Sequence, residues 1–142
     1  MNVSRLARAA LPPLAAFLAA SLTGCQSEPA GGPLIATVDN SAATALLQKV
    51  NEEALTCWMR SKDRDFAAYR LIPELDTRVG KPRLLLVSAK AAQGLPQLVI
   101  EAHGNPVKLT TYGPLTARPL SARINTDVTR WAAGDSSCKT RA

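Results

Sequence analysis

The sequence predicts an α+β domain in which a four-stranded antiparallel sheet carries two helices on one face, in the order α-β-β-β-β-α. Apolar residues recur at helical spacing in two stretches, one near each end of the domain. Between them lie short apolar or alternating runs separated by turns that contain glycine and proline, a pattern typical of strands. The links between these runs are shorter than the dozen or more residues that a parallel crossover needs, which favours an antiparallel meander.

The first helix is predicted over residues 41–60, with Asn40 or Ser41 as its capping residue. Its apolar stripe includes Trp58, and a tryptophan on such a stripe belongs to the core far more often than to a binding site. The mixed-charge run over residues 60–65 is predicted to be a solvated connector. The stripe consists of Ala43, Leu46, Leu47, Val50, Ala54, Cys57 and Trp58.

Strands are predicted over residues 66–72, 83–90, 97–103 and 107–112. Pro73 either ends the first strand or forces it to an edge of the sheet, because proline has no N–H to donate to a neighbouring strand. The last strand alternates apolar and polar residues, so one of its two faces is expected to be exposed.

The second helix is predicted over residues 121–133, where apolar residues again recur at helical spacing. Ser121 and Asn125 are its candidate caps, and Gly134 is its predicted stop. Cys138 follows directly in the tail of this helix. We therefore expect the two helices to pack on the same face of the sheet.

The first 25 residues carry the most specific motif in the chain. Arg5 and Arg8 precede an apolar run over residues 9–20, which is the layout of a secretory signal. The run leads into Leu22-Thr23-Gly24-Cys25, and this tetrapeptide resembles a bacterial lipobox. The resemblance implies that Cys25 receives a diacylglyceryl group, that a signal peptidase cuts before it, and that the freed amine is acylated, for instance with palmitate.

This resemblance divides the chain into a signal peptide (1–24), a lipidated flexible tether (25–33) and one small domain (34–142). It also implies a cell-envelope location, and Gln26 in place of an aspartate after the cysteine favours the outer membrane, facing the periplasm. Two other readings of the segment remain, an ordinary cleaved signal with a chance cysteine and an uncleaved membrane helix. The apolar segment is shorter than the roughly 20 residues that a membrane-spanning helix needs.

Two further cysteines, Cys57 and Cys138, are predicted to form a disulfide, because such bonds persist in exported proteins. The bond would tie the end of the first helix to the tail of the second. A competing interpretation makes Cys57 a catalytic thiol with His103 as its base. That thiol would have to stay reduced in an oxidising compartment.

The charge balance of the mature chain is only mildly basic. Without the two arginines of the signal, the 17 Lys and Arg residues fall to 15, against 11 Asp and Glu. This balance is compatible with anionic lipid headgroups or acidic glycans as partners, although an ordinary mixed-charge surface is the simpler explanation. Nucleic acid is not an expected partner, since no pattern of aromatic and basic residues is visible.

No catalytic, cofactor-binding or metal-binding motif is visible in the sequence. The single histidine, His103, is interpreted as a turn-edge residue. The carboxylate pairs Glu52/Glu53 and Glu74/Asp76 are interpreted as solubilising charges, because nothing near them in sequence would separate the pKa values within either pair. The chain is therefore predicted not to be an enzyme and to bind neither a cofactor nor a metal ion.

These observations favour a membrane-anchored accessory or assembly module that binds an envelope protein, a glycan or a lipid headgroup. An alternative is an inhibitor of an exported hydrolase, for which a compact, disulfide-linked domain is a suitable scaffold. The positive balance of the chain fits an acidic target better than a basic one. A third alternative is a small hydrolase that uses Cys57 or a loop serine.

Overall fold

The computed structural model describes residues 31–38, 42–76, 78 and 80–138. The predicted signal peptide, Cys25 and most of the predicted tether lie outside the described residues. Within them the elements are β1 (Ile35–Val38), α1 (Ala43–Ala54), the π-helical turn Leu55–Arg60, β2 (Tyr69–Glu74), β3 (Arg83–Ser88), β4 (Leu98–His103), β5 (Val107–Tyr112), the 3₁₀ turn Pro114–Ala117 and α2 (Leu120–Ala132).

The strands form one antiparallel sheet in the order β1-β5-β4-β3-β2. The predicted meander of four strands is confirmed as β2 to β5, but the prediction of a four-stranded sheet is wrong, because β1 adds a fifth strand beside β5. The element order is therefore β-α-β-β-β-β-α. The four residues of β1 are too few to show an alternating pattern, and their partners from Val107 to Thr110 are remote in sequence.

The predicted first helix is present as α1 and the π-helical turn that continues it to Arg60. The helix begins at Ala43 with Ala42 in the capping position, and no side chain caps it there. Asn40 and Ser41, the predicted caps, lie outside the described residues. Both Cys57 and Trp58 in the π-helical turn are buried, as the apolar stripe predicted.

The predicted second helix is present as α2, but Ser121 and Asn125 do not cap it. Pro119 takes the capping position, and the Ser121 hydroxyl instead accepts a hydrogen bond from the backbone N–H of Gly32 at 3.1 Å. The Asn125 amide donates to the Gly32 carbonyl at 2.8 Å. These side chains fix the segment that leads into β1. Gly134, with a φ of 104°, follows the helix as predicted.

β2 lies at the edge of the sheet and includes Pro73 near its end, so the second of the two outcomes predicted for Pro73 is the one observed. The strand begins three residues later than predicted. Phe66 belongs to the preceding turn, where its buried ring stacks on Trp58 with the ring centroids 4.6 Å apart. The aromatic contact outweighs the β-propensity of the segment.

Both helices pack on one side of the sheet, which we call the covered face. Alternate residues of β3, β4 and β5 point into this layer and meet the apolar stripes of α1 and α2. The largest fully buried side chains are Trp58, Trp131, Phe66, Leu46, Leu47, Leu84, Leu86, Leu98, Ile100, Leu109, Ile124 and Val50. The remaining alternate residues of the strands point to the opposite side, the open face.

Candidate functional site

The predicted disulfide between Cys57 and Cys138 is present, with the two Cα atoms 5.2 Å apart. Cys57 is buried, whereas Cys138 lies in the exposed segment after α2. The bond ties the end of the first helix to the tail of the second, as predicted, and it leaves Cys57 without a free thiol. Cys25, the predicted lipidation site, lies outside the described residues, and its modification stays a prediction.

A buried polar network lies beside the disulfide. Asp127 on α2 is almost fully buried and accepts a hydrogen bond from the Trp58 indole N–H at 2.9 Å. The same carboxylate forms an ion pair with Arg130, and the Arg130 guanidinium donates in turn to the backbone carbonyl of Ser137. This network connects both helices and the tail that carries Cys138. We interpret it as structural, because each of its charged groups has an opposite partner inside the fold.

The mixed-charge connector is not simply solvated, which corrects the sequence prediction. Asp63 and Asp65 form ion pairs with Arg123 of α2, at 2.5 and 3.2 Å. Partial burial alone would lower the pKa of Arg123, but the neighbouring carboxylates outweigh it and raise that pKa. The Arg123 guanidinium also lies 5.2 Å from the Phe66 ring centroid. The connector therefore helps to hold α2 in place.

The open face is the more exposed of the two sides of the sheet. Among the described residues, no helix packs on it, and only Ala92 and Ile72 add partly buried apolar contacts to its small cluster of Leu85, Val87 and Val99. Ile35 and Tyr112 are its exposed large apolar side chains, 65% and 39% accessible. Its outward residues are Ile35, Arg70, Ile72, Glu74, Arg83, Leu85, Val87, Val99, Glu101, His103, Lys108, Thr110 and Tyr112.

Glu101 of β4 is the centre of the charged part of the open face. One carboxylate oxygen lies 3.1 Å from the Lys81 ammonium and 3.4 Å from Nδ1 of His103. The other accepts a hydrogen bond from the Tyr112 hydroxyl at 3.0 Å. The antiparallel register brings these groups together, since Glu101 lies opposite Arg83 on one side and Thr110 on the other.

The charges of this cluster stabilise one another. Partial burial alone would raise the pKa of Glu101, but hydrogen bonds from Lys81 and Tyr112 outweigh it, so that pKa lies below its ordinary value. Burial and the hydrogen bond to Glu101 raise the pKa of Tyr112. At neutral pH Glu101 is therefore a carboxylate and Tyr112 a neutral phenol. Neither is poised for acid–base catalysis near pH 7.

An open groove of about 710 Å³ runs beside Glu101 at the end of the sheet where β2 meets β3. Its acidic and basic side chains are paired, with Arg83 2.6 Å from Glu74 and Arg78 2.5 Å from Asp76. The groove is lined by Pro73, Glu74, Leu75, Asp76, Gly80, Lys81, Arg83 and Glu101. Mutually neutralised pairs such as these offer little attraction to a small ion.

The sequence predicted the positions of individual polar residues but not the charge cluster around Glu101. His103 lies at the end of β4, as predicted, and Glu74 is an exposed member of an ion pair. Glu101 was not singled out, because two of its three partners, Lys81 and Tyr112, come from other parts of the chain. The one local signal was the alternation of β5, which correctly predicted that Tyr112 points away from the core.

The comparisons with known proteins leave the chain without an assigned relative. No protein-family model, no curated protein and no solved structure matches it. In the part of the chain that the structure describes, no group of three or more His, Cys, Asp or Glu side chains is arranged to hold a metal ion. No helix within the described residues is long and apolar enough to span a membrane.

Proposed function

We propose that this chain is a lipid-anchored, non-enzymatic module of the bacterial cell envelope that binds a protein partner through the open face of its sheet. The observation that carries the proposal is the contrast between the two faces. One face is filled by both helices, whereas the other presents Ile35 and Tyr112 to solvent beside a pre-paired charge cluster.

The chemistry of the open face supports a protein as the partner. Exposed aromatic and aliphatic side chains next to arginine are characteristic of protein–protein interfaces. The charges around Glu101 are held by neighbours, as by Lys81, so their positions are fixed before a partner arrives. An acidic glycan would be attracted by unpaired cations, but beside Glu101 the two cations Arg83 and Lys81 are each bound to a carboxylate.

The anchor part of the proposal rests on the lipobox resemblance at Cys25 and on the disulfide. A cysteine pair bonded across the domain is the state expected in an exported compartment. Two or more acyl chains at Cys25 would give stable membrane attachment, because each buried CH₂ contributes about 0.8 kcal/mol.

Photocrosslinking in intact cells tests the binding face. A photoreactive phenylalanine analogue replaces Tyr112 on the open face, and a matched variant carries it in place of Thr129, an exposed residue of α2. We expect a discrete crosslinked protein from position 112 and none from position 129. Equal crosslinking from both positions, or from position 129 alone, would rule out the open face as the binding surface.

Intact-mass analysis of the protein extracted from membranes in detergent tests the anchor. We expect a mass that lacks residues 1–24 and includes acyl groups, and we expect thiol alkylation only after reduction. An unacylated protein would contradict the lipobox assignment. Alkylation of Cys57 without reduction would reopen the thiol-hydrolase alternative.

A further inference from the structure

We infer that one end of the domain, the end from which the chain leads back to Cys25, rests on an anionic membrane surface. We call it the tether end. It comprises the turn 61–68, the segment 89–97 and the segment 113–119, where β3 and β5 end and β2 and β4 begin. This inference rests on the lipid anchor of the proposed function.

The path of the chain fixes which end faces the anchor. β1 begins at the tether end, because Ile35 pairs with Thr110 near the end of β5. Just before β1, Gly32 is bound to Ser121 and Asn125 at the start of α2. The Leu34 N–H donates to the Thr111 hydroxyl at 2.7 Å. The segment that leads to Cys25 is therefore held firmly at this end.

The length of the intervening chain limits the distance to the membrane. Six steps along the backbone separate Gly31 from Cys25. Even a fully extended chain of this length spans only about 20 Å, at roughly 3.3–3.6 Å for each residue. The six-residue strands carry the opposite end of the sheet about another 20 Å away from the tether end. The tether end is thus the part of the domain that meets the headgroups.

The charge of the tether end matches such a surface. Its four exposed cations form no ion pair with a carboxylate of the described residues, and its acidic residues Asp63 and Asp65 are already bound to Arg123. At the opposite end, Arg78 and Lys81 are paired with carboxylates. The four cations are Lys62, Arg64, Lys90 and Arg118.

Apolar features at the same end support contact with lipid. Leu95 is 86% accessible, the most exposed large apolar side chain among the described residues, and it belongs to the same segment, 89–97, as Lys90. Arg118 also borders a shallow groove of about 410 Å³ that it shares with Tyr69 and Leu120. A leucine and cations that are exposed at the same end of a domain are suited to the interface between headgroups and acyl chains.

Lysine labelling on vesicles tests this orientation. The acylated protein is purified from membranes and reconstituted into vesicles of phosphatidylcholine alone, or of phosphatidylcholine with phosphatidylglycerol. A water-soluble amine reagent and mass spectrometry then report the reactivity of each lysine. We expect Lys62 and Lys90 to react about threefold more slowly on the anionic vesicles than on phosphatidylcholine alone, and high salt should restore their reactivity. Lys108 on the open face is the internal control, and its reactivity should be the same on both kinds of vesicle.

A charge-reversal pair sharpens the test. Arg64→Glu combined with Lys90→Glu should abolish the protection of Lys62 on anionic vesicles, whereas Lys108→Glu should preserve it. Both variants change exposed residues, so neither should affect folding. Acylated protein whose lysines react equally on both vesicles would overturn this inference and leave the proposed anchor intact. Protein that lacks acyl groups and does not float with vesicles would overturn both.

Discussion

Leu85 and Leu86 are neighbours on β3, yet they belong to different surfaces of the molecule. Leu86 points into the covered face, where two helices bury it among aromatic and aliphatic side chains. Leu85 points to the open face, where its described apolar neighbours are residues of the sheet itself and of the segment 89–97. The difference shows that strand alternation makes two apolar surfaces here, and that the helices cover only one of them.

The covered face also carries the cross-links. The Cys57–Cys138 bond and the Asp127 network both lie on the helical side, and both connect elements that are remote in sequence. On the open face the polar contacts join residues of adjacent strands, or a strand residue and a nearby loop residue. The hydrogen bond from Tyr112 of β5 to Glu101 of β4 is an example. Substitutions should therefore affect stability chiefly on the first face and recognition chiefly on the second.

Removal of the disulfide should have the largest effect. In Cys57→Ser combined with Cys138→Ser, the unfolded chain regains the freedom of a loop that spans 81 positions, which the chain-entropy model values at about 4.5 kcal/mol. Urea unfolding of the detergent-solubilised protein measures the loss. Reduced wild-type protein should unfold at the same urea concentration as the variant. If both unfolded at the midpoint of the oxidised wild type, the bond would contribute nothing to the stability of the domain.

Asp127→Asn should have the next largest effect, about 3 kcal/mol. It leaves Arg130 without its carboxylate partner inside the fold, and an uncompensated buried charge is costly. Glu52→Gln, an exposed change on α1, is the matched control and should stay within about 0.5 kcal/mol of wild type. Equal midpoints for the two variants in urea would contradict the structural role of the network.

The leucine pair compares the two faces directly. Leu86→Ala should lose about 3 kcal/mol of unfolding free energy, because the helices above it cannot close the cavity. Leu85→Ala removes the same atoms from a face without a helical layer and should lose about half as much. Urea unfolding of both variants decides the point, and a larger loss for Leu85→Ala would mean that the open face is covered in solution.

The charge cluster of the open face should have the smallest effect on stability. Because the pKa of Glu101 is lowered by folding, its contribution is present above about pH 4.5, the ordinary value, and is lost as the pH falls through the lower folded value. We expect less than about 1 kcal/mol, since Lys81 is largely exposed. Urea midpoints of wild type and Glu101→Gln should differ above about pH 5 and converge in acid. A constant difference down to low pH would contradict this titration.

Local pattern predicted most of the architecture. The helices and the four strands of the meander follow from signals within a few residues, and the edge position of Pro73 is one of the two outcomes that its missing N–H predicted. The disulfide could be predicted by counting the cysteines that the lipobox resemblance leaves over, Cys57 and Cys138. These features share one property, since each depends on periodicity or residue type and not on the identity of a remote neighbour.

The features that escaped prediction depend on remote neighbours. β1 exists as a strand because β5 offers it a free edge, and Ser121 holds Gly32 across 89 positions of the sequence. Likewise Glu101 gains its role from Lys81 and Tyr112, which only the register of the sheet brings beside it. A single sequence shows the members of such contacts but not their pairing.

The position of the disulfide has a consequence for protein turnover. The bond closes a covalent ring from residue 57 to residue 138, and this ring contains β2 to β5 and α2. A protease that cuts a surface segment within the ring, for example next to the exposed Leu95, yields two fragments that stay linked. Both therefore remain attached to the segment that carries Cys25. After such a cut, β2 to β5 and α2 leave the segment that carries Cys25 only through a second cut within the ring, a cut between Cys25 and Cys57, or reduction of the bond.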